Sequence, residues 1–252
     1  MNHYNHATPH HWRGDVSLQP GIGVFIGQSG DNKEHRHWSH QISIALEGII
    51  EMTANGQSYQ SIALFVKAGT SHQLIASSVF SIYLDPTIVQ AKTLISRLGE
   101  QTAICELPQD LVVLFRDSLM ACNSLKAAIA RFSTSLAPHT SAKVDPRLQK
   151  VLSVLMRDMS VSTFSSRKEL AMLMELSETR FSHWFSEQTG MPLRSYRKWL
   201  RLVYALEQVL HGQTLTHAAY KGDFSDQAHF SRTCVQMFGV NPSIFLTHLT
   251  LA

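Results

Sequence analysis

Three histidines have the spacing of a metal-binding site. His35 and His37 lie two residues apart, and His72 follows within the segment GTSHQ. Side chains at positions i and i+2 of a strand point to the same face, so His35 and His37 could meet His72 on a returning strand. Three imidazoles would suit Zn, Ni, Cu or Fe. A structural or ligand-contacting role for the same rings is the alternative.

A second constellation occurs twice in the last third of the chain. Seven residues separate Ser182 from Gly190, and seven separate Ser231 from Gly239, with a Phe before each serine and a proline close behind each glycine. A solenoid needs at least about three units, so two copies indicate a tandem pair of small helical modules. In each, a short helix (168–174 and 215–221) precedes a turn and a second helix beginning near Ser177 or Ser225. This order predicts two helix-turn-helix units.

One long amphipathic helix is predicted between the two modules. It opens at Pro192 and ends at Gly212. Its apolar residues recur in steps of three or four, at Leu193, Tyr196, Leu200, Val203, Leu206 and Leu210. About 19 residues would span roughly 28 Å, close to the ~34 Å of one DNA turn. Both second helices could therefore enter successive major-groove segments of one duplex.

The segments LAMLMELSETRFSHWFSEQTGMP and FSDQAHFSRTCVQMFGVNPSIF resemble the DNA-binding domain of the AraC/XylS family. The resemblance covers about residues 145–247. Two departures concern the turns, where family members usually have Gly and this chain has Glu175 and Asp223. A third is Cys234, at a position that is usually aromatic.

The resemblance implies which side chains face the DNA groove. They are Thr179, Arg180, Ser182 and His183 in the first recognition helix, and Gln227, Ala228, Ser231 and Arg232 in the second. Arg can address guanine and Gln adenine, whereas Ser and Thr mostly hold phosphates. For Arg232, a phosphate or intradomain contact is the alternative to base reading.

The N-terminal half is predicted to be a β domain followed by helices. Short apolar runs broken by turn residues place strands at about 15–85, with a hairpin turn at Asn55-Gly56. Helical periodicity follows at 87–98 and 109–131, although the segment 122–124 could break the second helix. Residues 133–146 have the composition of a linker. We therefore divide the chain into an N-terminal domain (1–132) and a DNA-binding domain (147–252).

The histidine segments resemble the two short motifs of a cupin β-barrel. Catalytic cupins usually carry a Glu four or five residues after the second histidine, where this chain has Gln41 and Ile42. AraC-like regulators often keep the barrel without the metal. Four further histidines, His3, His6, His10 and His11, lie in a polar segment expected to be a solvated tail.

Composition is compatible with a cytoplasmic DNA-binding protein. The chain has 252 residues, 44% of them hydrophobic, and three scattered cysteines that suit a reducing compartment. Its net charge of +3 divides into −1 for residues 1–140 and +4 for residues 141–252. No leader or membrane segment is recognisable. This charge is compatible with a polyanion partner but does not identify one.

The sequence thus predicts an α+β protein of two domains, a cupin-like β-barrel with following helices and an all-α double helix-turn-helix. The predicted function is a non-enzymatic, sequence-specific regulator of transcription that binds double-stranded DNA. Family resemblance adds activation, a small effector in the N-terminal domain and RNA polymerase as partner. The acidic N-terminal domain, with its helices at 87–98 and 109–131, is a candidate dimerisation unit for a homodimer. The alternatives are a metal-responsive regulator using His35, His37 and His72, and a metal-dependent cupin enzyme.

Overall fold

The computed structural model describes residues 12–30, 32–100, 102–136, 145–161, 163–247 and 249–251. Its strands are β1 (Arg13–Gln19), β2 (Ile22–Gln28), β3 (His40–Ala45), β4 (Ile50–Ala54), β5 (Gln57–Ser61), β6 (Ala63–Val66), β7 (Gln73–Ile75), β8 (Ser78–Leu84), β9 (Ile104–Glu106) and β10 (Leu249–Leu251). Its helices are α1 (Val89–Leu98), α2 (Gln109–Met120), α3 (Leu125–Ser135), α4 (Pro146–Val161), α5 (Arg167–Leu173), α6 (Glu178–Thr189), α7 (Leu193–Leu210), α8 (Leu215–Lys221), α9 (Gln227–Phe238) and α10 (Ser243–Thr247). The four early histidines and residues 137–144 of the predicted linker lie outside the described residues.

Two packed β-sheets form the body of the N-terminal domain. The larger sheet has the strand order β10-β1-β2-β8-β3-β6-β9, and the smaller has the order β5-β4-β7. Phe25 of the larger sheet and Met52 of the smaller one belong to the same buried cluster. The predicted hairpin is confirmed, because Asn55 and Gly56 have φ values of 50° and 75° and join β4 to β5.

Strand β3 is buried on both faces. Its Ile42 and Ile44 belong to the same core cluster as Leu94 of α1 and Phe115 of α2, so one face of the larger sheet is covered by helices. Successive side chains of a strand alternate between faces. The opposite face of β3 therefore carries polar residues towards the space between the sheets.

The helical segment predicted over 109–131 is broken at residues 122–124, the alternative that the sequence left open, and is not a single helix. Helix α2 ends at Met120 and α3 begins at Leu125. The break arises because the Ser124 hydroxyl accepts a hydrogen bond from the Ala127 backbone and caps a new helix. Residues 133–135, predicted as linker, belong to α3.

The C-terminal helices form two small modules around α7. One core contains residues of α4, α5, α6 and the start of α7, and the other contains the rest of α7 with α8 and α9. The predicted apolar stripe of α7 needs correction. Leu200, Val203 and Leu210 are only half-buried, whereas Leu202 and Val209 fill the helical core. The difference arises because α7 packs against the modules on one side and faces the barrel on another.

The C-terminal region is not entirely helical. Strand β10 pairs in parallel with β1, with Leu249 opposite Gly14, and so joins the N-terminal sheet. Strand β9 likewise lies beyond the predicted β segment and pairs with β6. Within the described part of the chain, no helix combines the length and apolarity needed to cross a membrane.

Candidate nucleic-acid interface and histidine cluster

Helix capping fixes where each recognition helix begins. At α6 the Ser177 hydroxyl accepts a hydrogen bond from the Arg180 backbone, as predicted. At α9 the cap is Asp226 and not Ser225, because the Asp226 carboxylate accepts the His229 N–H at 2.6 Å. The Ser225 hydroxyl instead donates to the Asp226 side chain. A carboxylate at a helix N-terminus also interacts favourably with the helix dipole.

The turns of both helix-turn-helix units tolerate the absence of glycine. Glu175 and Asp223 each have φ of 55°, the left-handed conformation that Gly adopts most easily. An ion pair of 2.6 Å between Asp223 and Arg201 of α7 anchors the second turn. A left-handed L-residue costs roughly 1–2 kcal/mol, which the surrounding packing has to offset.

The residues predicted to face DNA lie away from the two helical cores. Those that are exposed are Thr179, Arg180, His183, Gln227, Ala228 and Arg232, and those that are half-buried are Ser182 and Ser231. The opposite sides of the same helices carry Phe181 and Phe230, which are fully buried in the helical cores. Contact of the eight residues with DNA remains a prediction.

The structure brings His35, His37 and His72 together into what we call the histidine cluster. One ring nitrogen from each lies within 4.8 Å of the others. His35 and His72 face each other across an isolated β-bridge, with ring centroids 4.5 Å apart. All three rings are buried.

Backbone carbonyl groups fix the orientation of each ring. The Nδ1 atoms of His35, His37 and His72 lie 2.8, 2.9 and 2.9 Å from the carbonyl oxygens of Lys33, Ser39 and Thr70, respectively. A carbonyl oxygen only accepts, so we assign the proton of each neutral ring to Nδ1. Each Nε2 then keeps a lone pair. Metal-bound histidines commonly have this backbone partner.

The side-chain amide of Gln41 lies beside the Nε2 atoms of two of these rings. Its Oε1 lies 2.8 Å from His37 Nε2 and 3.0 Å from His72 Nε2, while its Nε2 donates to the Ser43 hydroxyl at 2.8 Å. Three acceptor atoms in close contact repel one another. Two arrangements resolve this conflict: a cation among the acceptors, or a rotated amide whose NH₂ group donates to both rings.

Burial keeps the cluster neutral. Desolvation, together with the nearby His72, lowers the pKa of His35 to about 4 and the pKa of His37 well below its ordinary value. Neutral imidazole is the form that binds metal ions. Metal binding near neutral pH would therefore need no deprotonation of these two rings.

An apolar cleft lies between the barrel and the DNA-binding helices. One cavity of about 90 Å³ has His35 and Gln41 in its wall beside Leu206 of α7 and Phe238 of α9. A second cavity of about 260 Å³ shares Leu206 and Phe238 with the first. Among the described residues that line the first cavity, none is Lys or Arg.

Direct contacts join the segment that carries His35 to the second recognition helix. The Lys33 backbone N–H donates to the carbonyl of Gly239 at 3.2 Å, and that of Arg36 donates to Gln236 at 3.4 Å. Trp38 packs against the cores of both helical modules. Elsewhere, the Tyr196 hydroxyl of α7 donates to Asp85 at 3.3 Å, and burial raises the pKa of that carboxyl.

Sequence reasoning missed several of these residues. Gln41 was considered only as a missing carboxylate, although strand alternation places it on the same face as Ser43. The contacts of Asp85 with Tyr196 and of Lys33 with Gly239 join segments far apart in sequence. No local signal indicates such pairs.

Comparison with known proteins agrees with this architecture. Residues 170–248 match a family model described as a helix-turn-helix domain. No curated protein matches the chain in sequence.

The fold of the whole chain is similar to that of ToxT from Vibrio cholerae. An apo ToxT variant of strain SCE256 gives a TM-score of 0.62 at 12% identity, covering 93% of this chain and 100% of that one. ToxT of strain O395 gives 0.58 at 14%, covering 92% and 99%. Wild-type SCE256 ToxT bound to an unsaturated fatty acid gives 0.54 at 12%, covering 95% and 98%. At these identities the likeness establishes a shared fold.

Proposed function

We propose that the chain is an AraC-type helix-turn-helix regulator, and that it reads a specific DNA sequence with α6 and α9 in successive major-groove segments. The observation that carries this proposal is the pairing of two capped helices whose predicted groove residues are exposed or half-buried. Helix α7, with 18 residues, spans about 27 Å between them. That length suits two groove segments on one face of a duplex.

Capture of genomic DNA by the full chain tests this function. At physiological salt, the wild type should enrich fragments that share a motif, and Arg180→Ala/Arg232→Ala should not. Lys126→Ala/Arg131→Ala, which removes two exposed cations of α3, is the charge-matched control and should behave as the wild type. Equal, motif-free capture by all three proteins would refute sequence-specific reading.

For the effector, we propose a small apolar molecule bound in the cleft. ToxT has been crystallised with an unsaturated fatty acid, but the described wall of the first cavity offers no cation to a carboxylate. Asn32, His35 and Gln41 could instead bond an uncharged polar group. A long-chain alcohol should therefore raise the melting temperature of the full chain more than the corresponding acid, and Leu206→Trp should reduce the effect. A larger shift with the acid would contradict an uncharged effector.

A second candidate function is a response to metal through the histidine cluster. The donor atoms fit, because one ring nitrogen of each histidine lies within 4.8 Å of the others, and the amide oxygen of Gln41 lies beside Nε2 of His37 and of His72. These residues would hold a divalent ion such as Zn, Ni, Cu or Fe. A bound ion would add positive charge to the wall of the cleft.

Metal analysis of the full chain, purified without a histidine tag, tests this candidate. The wild type should retain about one ion per chain, and His37→Ala/His72→Ala should lose it. His211→Ala/His217→Ala, which changes two exposed histidines, is the matched control. DNA affinity measured with and without the ion then separates a sensor from a structural site. If the wild type takes up none of the four metals, the candidate is refuted.

Three further proposals rest on family resemblance for activation, on the scattered cysteines for the compartment, and on the helices of the N-terminal domain for dimerisation. The protein would activate transcription through RNA polymerase, work in the cytoplasm and form a homodimer. We propose no catalytic role for the histidine cluster, because Gln41 cannot act as a general base in place of a carboxylate. A promoter–reporter assay tests activation, and analytical sedimentation of the purified chain tests dimerisation.

A further inference from the structure

Helix α7 carries four cations in its first half, one of them exposed and three half-buried. They are Arg194, Arg197, Lys198 and Arg201. Their spacing of three, one and three residues places them along one face of a helix. The connecting helix α7 therefore has a positively charged face in addition to its apolar face.

Two concave surfaces flank this cationic face. The one between α6 and α7 has a volume of about 560 Å³ and is also lined by Arg167 and Lys168. The one between α7 and the start of α9 has a volume of about 360 Å³. Arg194 and Arg201 line both, so the two form one continuous surface, which we call the α7 groove.

The α7 groove concentrates positive charge. Six cations and two carboxylates line it, a net charge of +4, whereas the whole chain has a net charge of +3. The two carboxylates are already paired, Glu178 with Arg167 and Asp223 with Arg201. Among the described residues, Arg194 and Lys198 form no ion pair, and the Lys198 ammonium donates a hydrogen bond to the Gln236 amide oxygen at 3.4 Å.

The groove faces the same side as the recognition helices. Ser182, a predicted DNA-facing residue of α6, lines one end, and His229 in the first turn of α9 lines the other. When two helices occupy major-groove segments one turn apart, the minor groove between them faces the connecting element. The phosphates of both strands border that minor groove. Duplex DNA carries one negative charge per roughly 1.7 Å of axis.

We propose that the α7 groove binds the DNA phosphates that border the minor groove between the two major-groove segments, with Arg194 and Lys198 as the principal contacts. This inference rests on the proposed DNA-reading function. Phosphate contacts carry no sequence information. The α7 groove would therefore determine the affinity and the register of the DNA-binding domain on any duplex, whereas α6 and α9 would determine its sequence specificity.

The salt dependence of binding by the full chain tests the groove. Arg194→Gln/Lys198→Gln keeps part of each aliphatic stem and removes two charges, and Lys126→Gln/Arg131→Gln on α3 is the matched control. The probes are a duplex carrying the captured motif and an unrelated duplex of equal length. Each phosphate contact adds about 0.9 to the slope of log K against log salt, which at 0.15 M corresponds to about fivefold in affinity. The groove variant should lose about 2 from the slope and about thirtyfold in affinity on both duplexes.

The outcomes separate this inference from the function on which it rests. If the wild type shows no preference for either duplex, the reading function fails. If the wild type prefers the motif but the groove variant keeps its slope, only the groove is refuted. A groove variant that loses preference for the motif without a change in slope would identify base contacts and also overturn the proposal. Circular dichroism of each variant confirms that it folds.

Discussion

Two glycines provide a matched test of the contact between the barrel and the second recognition helix. Gly190 and Gly239 end α6 and α9 with nearly the same left-handed conformation, φ 75° and 73°. A Cβ at Gly190 would meet nothing within 4 Å. A Cβ at Gly239 would lie 2.5 Å from the Lys33 carbonyl oxygen and 2.9 Å from His35 Nδ1.

The two alanine variants should therefore lose different amounts of unfolding free energy. Gly190→Ala should destabilise the protein by roughly 1–2 kcal/mol, the cost of a left-handed alanine. Gly239→Ala carries the same cost and also forces residues 33–36 away from α9. Two interdomain backbone hydrogen bonds are then lost, at about 1 kcal/mol each. Urea unfolding of the full chain should therefore show an additional loss of about 2 kcal/mol for Gly239→Ala. Equal losses for the two variants would refute the contact as a source of stability.

Further predictions concern pH, the domain interface and metal. Burial and the charge of Lys67 lower the pKa of His40 to about 4. Between pH 6.5 and pH 4 the unfolded chain therefore binds a proton at His40 that the folded chain does not bind. The free energy of unfolding falls as the pH falls through this range. His40 should lower the free energy of unfolding by about 2 kcal/mol between pH 7 and pH 5. In urea unfolding at the two pH values, His40→Asn should remove that part of the pH dependence. Tyr196→Phe, which deletes a donor to buried Asp85, should cost about 1–3 kcal/mol, against little for Tyr204→Phe; equal effects contradict the interface bond. If the histidine cluster binds Zn²⁺, free Zn²⁺ at a hundred times its Kd should raise the unfolding free energy by about 2.7 kcal/mol, and a chelator should reverse this.

Local signals predicted the elements that depend on local chemistry. The turn at Asn55-Gly56 follows from two residues that accept positive φ, and the start of α6 follows from the Ser177 cap. The break before α3 was harder to predict, because the apolar period continues across Ser124. Strand β10 could not be predicted, since three residues carry no strand period and their conformation comes from pairing with β1.

The candidate sites were predictable to different extents. Alternation and residue type suggested that His35, His37 and His72 meet, but not that Gln41 completes the polar set. The cleft needs the folded arrangement, because it joins the barrel to α7 and α9. The spacing of the α7 cations is visible in the sequence. Their placement between two recognition helices is visible only in the structure.

Strand β10 changes how the DNA-binding domain is attached to the rest of the molecule. Residues 146–247 leave the N-terminal domain after α3 and return to its larger sheet through β10, beside β1. In topological terms, the DNA-binding helices are an insertion held at both ends. Attachment at two points keeps the effective concentration of one domain at the other high. Cutting the connection between α3 and α4 would therefore leave the two domains joined through the sheet.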